Sequence, residues 1–521
     1  MIPRVVRNDW STIAVPQLGR WRPELTVSVV IPAYQCQDSL DLTLAALAGQ
    51  TYPAELLEVV VVDDNSDPPL RLPPVRPARC RIVRPPSGWG RANALHYGAE
   101  QATGQILHWL DADMVVYPEH VEAQARWHHR LPYAVTLGWK RFVDVAPGHP
   151  RWPTPEQVLA AARTAGTAAL FAGLPSTGHD YVERRIARTR QLRDADETGF
   201  LAHVGATAAL RRELYQATGG LDTTLRLGED TEFGYRLAQA GAVFVPEPQA
   251  RSWHLGPTHM MRHQARLQRY NQPFLADRMP QPRWLRQAGG SGWAVPLVTA
   301  VVEVAGQPLE WVRTVVDTLL AGEEPDLRVV LVGPWPSDSE RQAPLADPAL
   351  ELRLIAATYR GDPRVNLADR PPKTVYPSPF RLELPPGYGL ARPGVRRLVE
   401  YADRHRLGLL QVSGVRLWRT AAVHRAWWVA GTEAPLAESV AEVWGAGELP
   451  AHTIGVVDVA TRAPAELRDG RVFAGAVTGR WLPNVVEVAG VRSLARAAWV
   501  VAGLAGARVT RRLRSHRRPT R

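Results

Sequence analysis

The sequence predicts an α/β protein with mainly parallel sheets, built as two consecutive units. Three observations lead there. Apolar, β-branched runs at 25–34 and 56–66 lack the polar alternation of a half-exposed strand and read as strands buried on both faces. Stretches with helical spacing lie between such runs, and strand–helix–strand with short loops means a parallel α/β sheet. The layout of 25–66 then recurs at 296–335.

Residues 1–24 form an N-terminal extension. LTVSVVIPAY (25–34) is the first strand, stopped by Pro32. DSLDLTLAALAGQ (38–50) is a helix with leucines at 40, 44 and 47, and Asp38 is placed to cap it. LLEVVVVDDNS (56–66) is the second strand. The Pro-rich stretch 67–87 reads as a loop with little regular structure. A helix around ALHYGAEQATG leads to the third strand, QILHWLDAD (105–113). Two acidic clusters, Asp63–Asp64 and Asp111–Asp113, thus close strands at their carboxyl ends, where ligands bind in such sheets. Residues 153–197 read as a charged helical insertion over one side of the site. The first domain runs over 25–270, and the Pro- and Gly-rich stretch 271–292 is a linker. A second domain spans 293–490, and 491–521 is an apolar and basic C-terminal segment.

Composition bounds the function. The chain has 521 residues, 45% of them apolar and 22% charged, which are globular values. No apolar run approaches the roughly 18 residues of a membrane span. The first residues, MIPRVVRNDW, lack the apolar core of a signal peptide. Only Cys36 and Cys80 occur, so neither a disulfide framework nor a Cys-rich zinc site is expected, and a reducing cytoplasm fits. The net charge of +11 owes much to seven arginines within 508–521. No nucleic-acid-binding motif accompanies them. The eleven apolar residues 497–507 would span about 16 Å as a helix. That is too short to cross a bilayer, but it suits an anionic membrane surface with Trp499 as anchor; a helix packed on the second domain, followed by a solvated tail, is the other reading.

Some chemistry follows from residue types. A D-x-D turn after a strand, Asp111 and Asp113, can present two carboxylates to one divalent cation, which prefers oxygen ligands; in isolation such a turn also reads as solvated or as a helix N-cap. Glu229–Asp230 opens the helix EDTEFGYRLAQ, where acids complement the helix dipole.

Four features in this order resemble the family-2 glycosyltransferases with a GT-A fold. They are VSVVIPAY with VVVVDDNS; GRANALHYG (90–98) leading to GQILHWLDAD; GATAALRRELYQATGGLD (205–222) with GEDTEFGYRLAQAG (228–241); and RSWHLG (251–256). The resemblance covers about 25–260. It implies that Asp113 binds the metal and that Asp111 faces the ribose or the metal. Asp64 and the Pro32–Ala33–Tyr34 wall would hold the nucleobase, with Tyr34 stacking on it; a packed core tyrosine is the other reading. Asp63 is then a loop cap. Arg91 would grip the diphosphate bidentately. Asp230 would be the base that deprotonates the acceptor, with Gly205 and Glu229 in acceptor binding or support. His254 would complete the metal site and favour Mn²⁺ over Mg²⁺; a core or loop histidine is the other reading. His96 departs from the family pattern, where Asn is usual. The QxxRW motif of the processive members is absent, so transfer of a single sugar is expected.

The second half looks like a worn copy of the first. Gly333–Pro334 stands where Asp63–Asp64 would, Pro385–Pro386 near the D-x-D place, and APLAESVAEVWGAG where the acidic pair would be. An unrelated α/β domain is the alternative. The whole reads as a metal-dependent inverting glycosyltransferase that takes a nucleotide-diphospho-sugar, a UDP-sugar by preference, to a saccharide or lipid-linked acceptor. It is expected in the cytoplasm, with a peripheral place on the inner face of the membrane and a soluble enzyme as the two alternatives. The rival is a non-catalytic nucleotide- or sugar-binding module of the same fold.

Overall fold

The computed structural model describes residues 2–286, 292–337, 343, 346–385 and 387–458. Part of the expected linker, Pro386, the end of the second domain and the whole 491–521 segment lie outside the described residues.

The first sheet has nine strands: β1 (Val27–Ala33), β2 (Leu57–Asp63), β3 (Cys80–Val83), β4 (Ile106–Leu110), β5 (Met114–Val116), β6 (Ala134–Val143), β7 (Ser176–Thr177), β8 (Thr207–Arg211) and β9 (Val243–Leu255). Their order is β3-β2-β1-β4-β8-β6-β9-β5, with β7 paired to β6. β1, β2, β3 and β4 are mutually parallel, while β8 runs antiparallel to β4 and β6. Alternation along β1 sends Val29 and Ile31 to one face and Val30 to the other. The first pair packs with Leu40 and Leu44 of helix α1 (Gln37–Leu47). Val30 packs with Leu95 of α2 (Arg91–Gln101) and with Trp109.

Three local expectations change. Asp38 sits in the first turn of α1 rather than capping it, because the helix already starts at Gln37. The stretch 67–87 contains the edge strand β3, which four half-exposed residues were too short to announce. The charged insertion divides. Helix α3 is His120–His128, ahead of the insertion. Within the insertion, α4 (Pro155–Arg163) packs on the α1 side through Val158, and α5 (Asp180–Arg188) lies apart from it. Beyond these come α6 (Arg212–Ala217), α7 (Glu229–Gln239) and α8 (His259–Arg278). The last runs on through Pro273, inside the stretch read as linker, held at its far end by buried Asn271, Leu275 and Ala276.

The second sheet has seven strands in the order β12-β11-β10-β13-β16-β15-β17. They are β10 (Val298–Glu303), β11 (Leu327–Val332), β12 (Val365–Ala368), β13 (Phe380–Glu383), β15 (Leu409–Val412), β16 (Val415–Arg419) and β17 (Ala446–Glu448). Strand by strand this repeats β3-β2-β1-β4-β8-β6-β9, with the same parallel and antiparallel partners. Even β5 against β9 has its counterpart, since β14 (Tyr388–Leu390) pairs antiparallel with β18 (Val456–Asp458). The copy seen faintly in the sequence is therefore a repeat of topology.

The two halves meet at Arg425, whose side chain is fully buried. Its guanidinium donates to the carbonyls of Gly241, Ala242, Val5 and Arg7. It thereby ties the second half to the first half and to the N-terminal residues. Removing one partner of a buried hydrogen bond costs about 1–3 kcal/mol for each group left unsatisfied. Arg425→Leu strands four carbonyls and should lower unfolding free energy by at least about 3 kcal/mol, read as a shifted denaturant midpoint at unchanged slope.

Candidate active site

The parallel strands β1, β2 and β4 end on one edge, and the expected site residues gather there. Asp63 is buried and accepts from Arg84 Nη2 at 2.6 Å and from the Ser66 amide at 2.8 Å, so it caps the loop as expected. The next residue, Asp64, takes the Gly90 amide at 2.7 Å, tying the β2 end to the start of α2. Pro32 and Ala33 end β1 beside it. Tyr34 is 59% exposed, which removes the reading as a packed core aromatic and leaves its ring free on the rim.

Arg91 opens α2 and lies between two carboxylates. Nη2 and Nε reach Asp111 Oδ1 at 2.8 and 3.2 Å, and Nη1 reaches Glu229 Oε1 at 2.6 Å. Burial works against its charge, but Asp111, Glu229 and Asp230 outweigh it and hold its pKa above the usual arginine value. A Cβ on Gly205 would lie 2.8 Å from both terminal nitrogens of Arg91, so only glycine leaves room for that guanidinium. The Gly205 amide also points to Asp230 Oδ2 at 3.4 Å. His96 is bonded to the Tyr215 hydroxyl at 2.8 Å.

Asp111, Asp113 and His254 each bring one ligand atom within 4.8 Å of the others. The pairing of β5 with β9 sets this up, because Met114 lies opposite His254. His254 Nδ1 donates to the Gly256 carbonyl at 2.9 Å, which turns Nε2 toward Asp113 Oδ1 at 3.6 Å. Asp113 Oδ1 is buried without a hydrogen-bond partner among the described residues. Two ligand atoms about 2.1 Å from one ion stand about 3–4 Å apart, so a small divalent cation fits between them. Burial pushes the Asp113 carboxyl pKa up, with Asp111 adding to it against the pull of His254.

α7 starts at Gly228 in the left-handed region, φ 78°, and places Glu229, Asp230 and Glu232 in its first turn. Asp230 Oδ1 accepts the Thr231 amide at 2.7 Å, while its carbonyl faces His203 Nδ1 at 2.8 Å. Burial raises the Glu229 pKa, with Asp230 reinforcing it and Arg91 opposing it.

Sequence reasoning missed Lys140. A bulge between Gly138 and Trp139 resets β6 against β9, and Lys140 follows it. Lys140 shares a strand face with Phe142, whose ring packs 4.9 Å from that of His254. Lys140 is 5% exposed and makes no hydrogen bond among the described residues. Burial brings its pKa down to about 8, while Asp111 and Asp230 act to hold it up. One signal was available: lysine occurs only at 140 and 373 among 62 basic residues. His179, from the insertion, was also missed. It packs edge-on against Phe142, and burial lowers its pKa to about 3, with Lys140 next in effect.

Residues 28–219 match the family model described as Glycosyl transferase family 2. A validoxylamine A glucosyltransferase of Streptomyces hygroscopicus subsp. limoneus is 30% identical over 254 residues, 46% of this chain and 53% of the relative. An undecaprenyl-phosphate 4-deoxy-4-formamido-L-arabinose transferase of Serratia proteamaculans (strain 568) is 34% identical over 113 residues, 20% of this chain and 34% of the relative. The chain thus spans about half the length of the first of these or less. Among solved structures, a Pyrobaculum calidifontis mannosyltransferase in complex with GDP-Man and Mn²⁺ aligns at 20% identity, with TM-score 0.29, over 50% of this chain and 63% of that one.

Proposed function

We propose that this chain, whose residues 28–219 form a family-2 glycosyltransferase domain, transfers one sugar from a nucleotide-diphospho-sugar to an acceptor hydroxyl with inversion at the anomeric carbon. The observation that carries the reading is the Asp111–Asp113–His254 trio, with an orphaned Asp113 oxygen, beside the Arg91–Glu229–Asp230 cluster.

Asp111, Asp113 and His254 would hold a divalent ion, Mn²⁺ by preference because imidazole is a borderline ligand. Bound there, the ion would neutralise the diphosphate as it leaves. Tyr34 and Asp64 hold the nucleobase, UDP being the expected carrier. Asp230 takes the proton from the acceptor hydroxyl as its oxygen attacks the anomeric carbon. The C–O bond to the diphosphate breaks, and the nucleoside diphosphate departs with the bonding pair. Arg91 aligns Asp111 and Glu229 and reaches the diphosphate only by sharing Asp111. Lys140 adds a cationic group beneath the site. Its replacement by methionine should lower kcat by about 10²–10³, the usual loss for one preorganised charge-stabilising group, while Lys140→Arg retains part of it.

The second half keeps the fold but offers Gly333–Pro334 and Pro385 where the first offers acids, so it serves packing or acceptor recognition. The full chain should bind one equivalent of nucleotide in Mn²⁺, and none once Asp113 is alanine. An acceptor on a glycan or a lipid-linked saccharide, met at the inner membrane face, completes the reading. The deciding experiment is a panel of nucleotide sugars scored by release of free nucleotide with and without Mn²⁺. Release from no donor would leave the rival, a nucleotide-binding module without turnover.

A further inference from the structure

We infer that the outer face of α8 is a docking surface for an anionic lipid bilayer. This deepens the membrane-side part of the proposed function and rests on that reading only for its purpose, delivery of a lipid-linked acceptor.

The helix starts five residues after His254, at the mouth of the site. Thr258 caps it by accepting the Met261 amide at 3.2 Å. From Met260 to Tyr270 every residue is exposed except half-buried Leu267. Only from Asn271 onward do side chains turn into the body of the protein. About three turns of helix thus stand in solvent without packing, which is marginal for a helix in water.

What that stretch carries is not a solvated face. Met260, Met261, Tyr270 and Phe274 are 41–48% exposed, and the Tyr270 and Phe274 rings lie 5.1 Å apart. Beyond the kink at His263, Leu267, Tyr270 and Phe274 fall at i, i+3 and i+7 and make one apolar strip. Arg266 and Arg269 line its flank, with Arg262 before the kink. None of the three arginine side chains has an ion pair or hydrogen bond to a described residue, and no carboxylate occurs between Glu247 and Asp277.

Unpaired arginines alone would suit any polyanion. Arginines beside an exposed apolar and aromatic strip have the composition of a helix that lies in a membrane interface. A second copy of the chain is disfavoured, because a two-fold contact would set the same acid-free, positive face against itself.

The test uses the full chain with phosphatidylglycerol-containing vesicles and with phosphatidylcholine vesicles. Amides of 260–270 should exchange with deuterium at least tenfold more slowly on phosphatidylglycerol and be unchanged on phosphatidylcholine. Arg266→Glu/Arg269→Glu and Tyr270→Ser/Phe274→Ser should each lose that protection, while nucleotide release from a soluble sugar donor stays at the wild-type rate. Vesicle binding without protection of 260–270 would place the contact elsewhere, for instance in the basic tail, and overturn the inference. Equal protection in the charge-reversed variant would also overturn it. Because nucleotide release is scored on the same proteins, failure of the docking surface is told apart from failure of the glycosyltransferase reading.

Discussion

Asp113→Ala should abolish turnover and remove Mn²⁺-dependent nucleotide binding, and EDTA should do the same to the unmodified chain. The expectation is large because Asp113 is where three lines meet. Its Oδ1 is buried with no hydrogen-bond partner among the described residues. His254 turns Nε2 toward it from 3.6 Å. Asp111, the other carboxylate of the trio, is already shared with Arg91. Without Asp113 the site would lose the one carboxylate of the trio that Arg91 does not share, and with it the means to hold an ion that would offset the charge of the departing diphosphate. Calorimetric titration of nucleotide with and without Mn²⁺ reads the binding, and nucleotide release reads the turnover. Full activity in EDTA would sink the metal mechanism while leaving the site cluster in place.

Asp230→Asn should lower kcat by about 10²–10⁴, the usual share of a general base, with donor binding largely kept. Asparagine preserves the shape and can still accept the Thr231 amide, so the start of α7 survives while the proton acceptor is lost. A kcat near that of the unmodified chain would move the base elsewhere, and Glu229 would be next to test. Glu229 is bonded to Arg91, which makes it the better placed to hold geometry and the worse placed to take a proton.

Much of this was legible in the sequence because it depends on short-range pattern. Apolar runs located β1, β2 and β4, and the acids that close the last two gave Asp64, Asp111 and Asp113. His254 was reachable only through the family resemblance, since it meets Asp113 by strand pairing across some 140 residues. Lys140 was hidden for a related reason. A lysine on a strand reads as solvent-facing until a bulge turns its face toward a buried pocket. Gly205 was marked by motif, but its reason, the space taken by Arg91, is a contact between distant segments. The seven-strand repeat of topology was visible only in outline, because the second copy keeps apolar periodicity and none of the charged markers.

The seam between the halves also has an order in time. Arg4 and Arg7 are made well before the second half, yet Arg4 pairs with Glu442, the Arg7 amide bonds the Val443 carbonyl, and Arg425 takes the carbonyls of Val5 and Arg7. At about 5–20 residues per second, those partners follow roughly 20–90 s after Arg4 and Arg7. Meanwhile Asn8 can settle on the Leu192 and Phe244 carbonyls, both in the first half. The nascent first half can therefore hold this segment in place until the second half arrives to close over it.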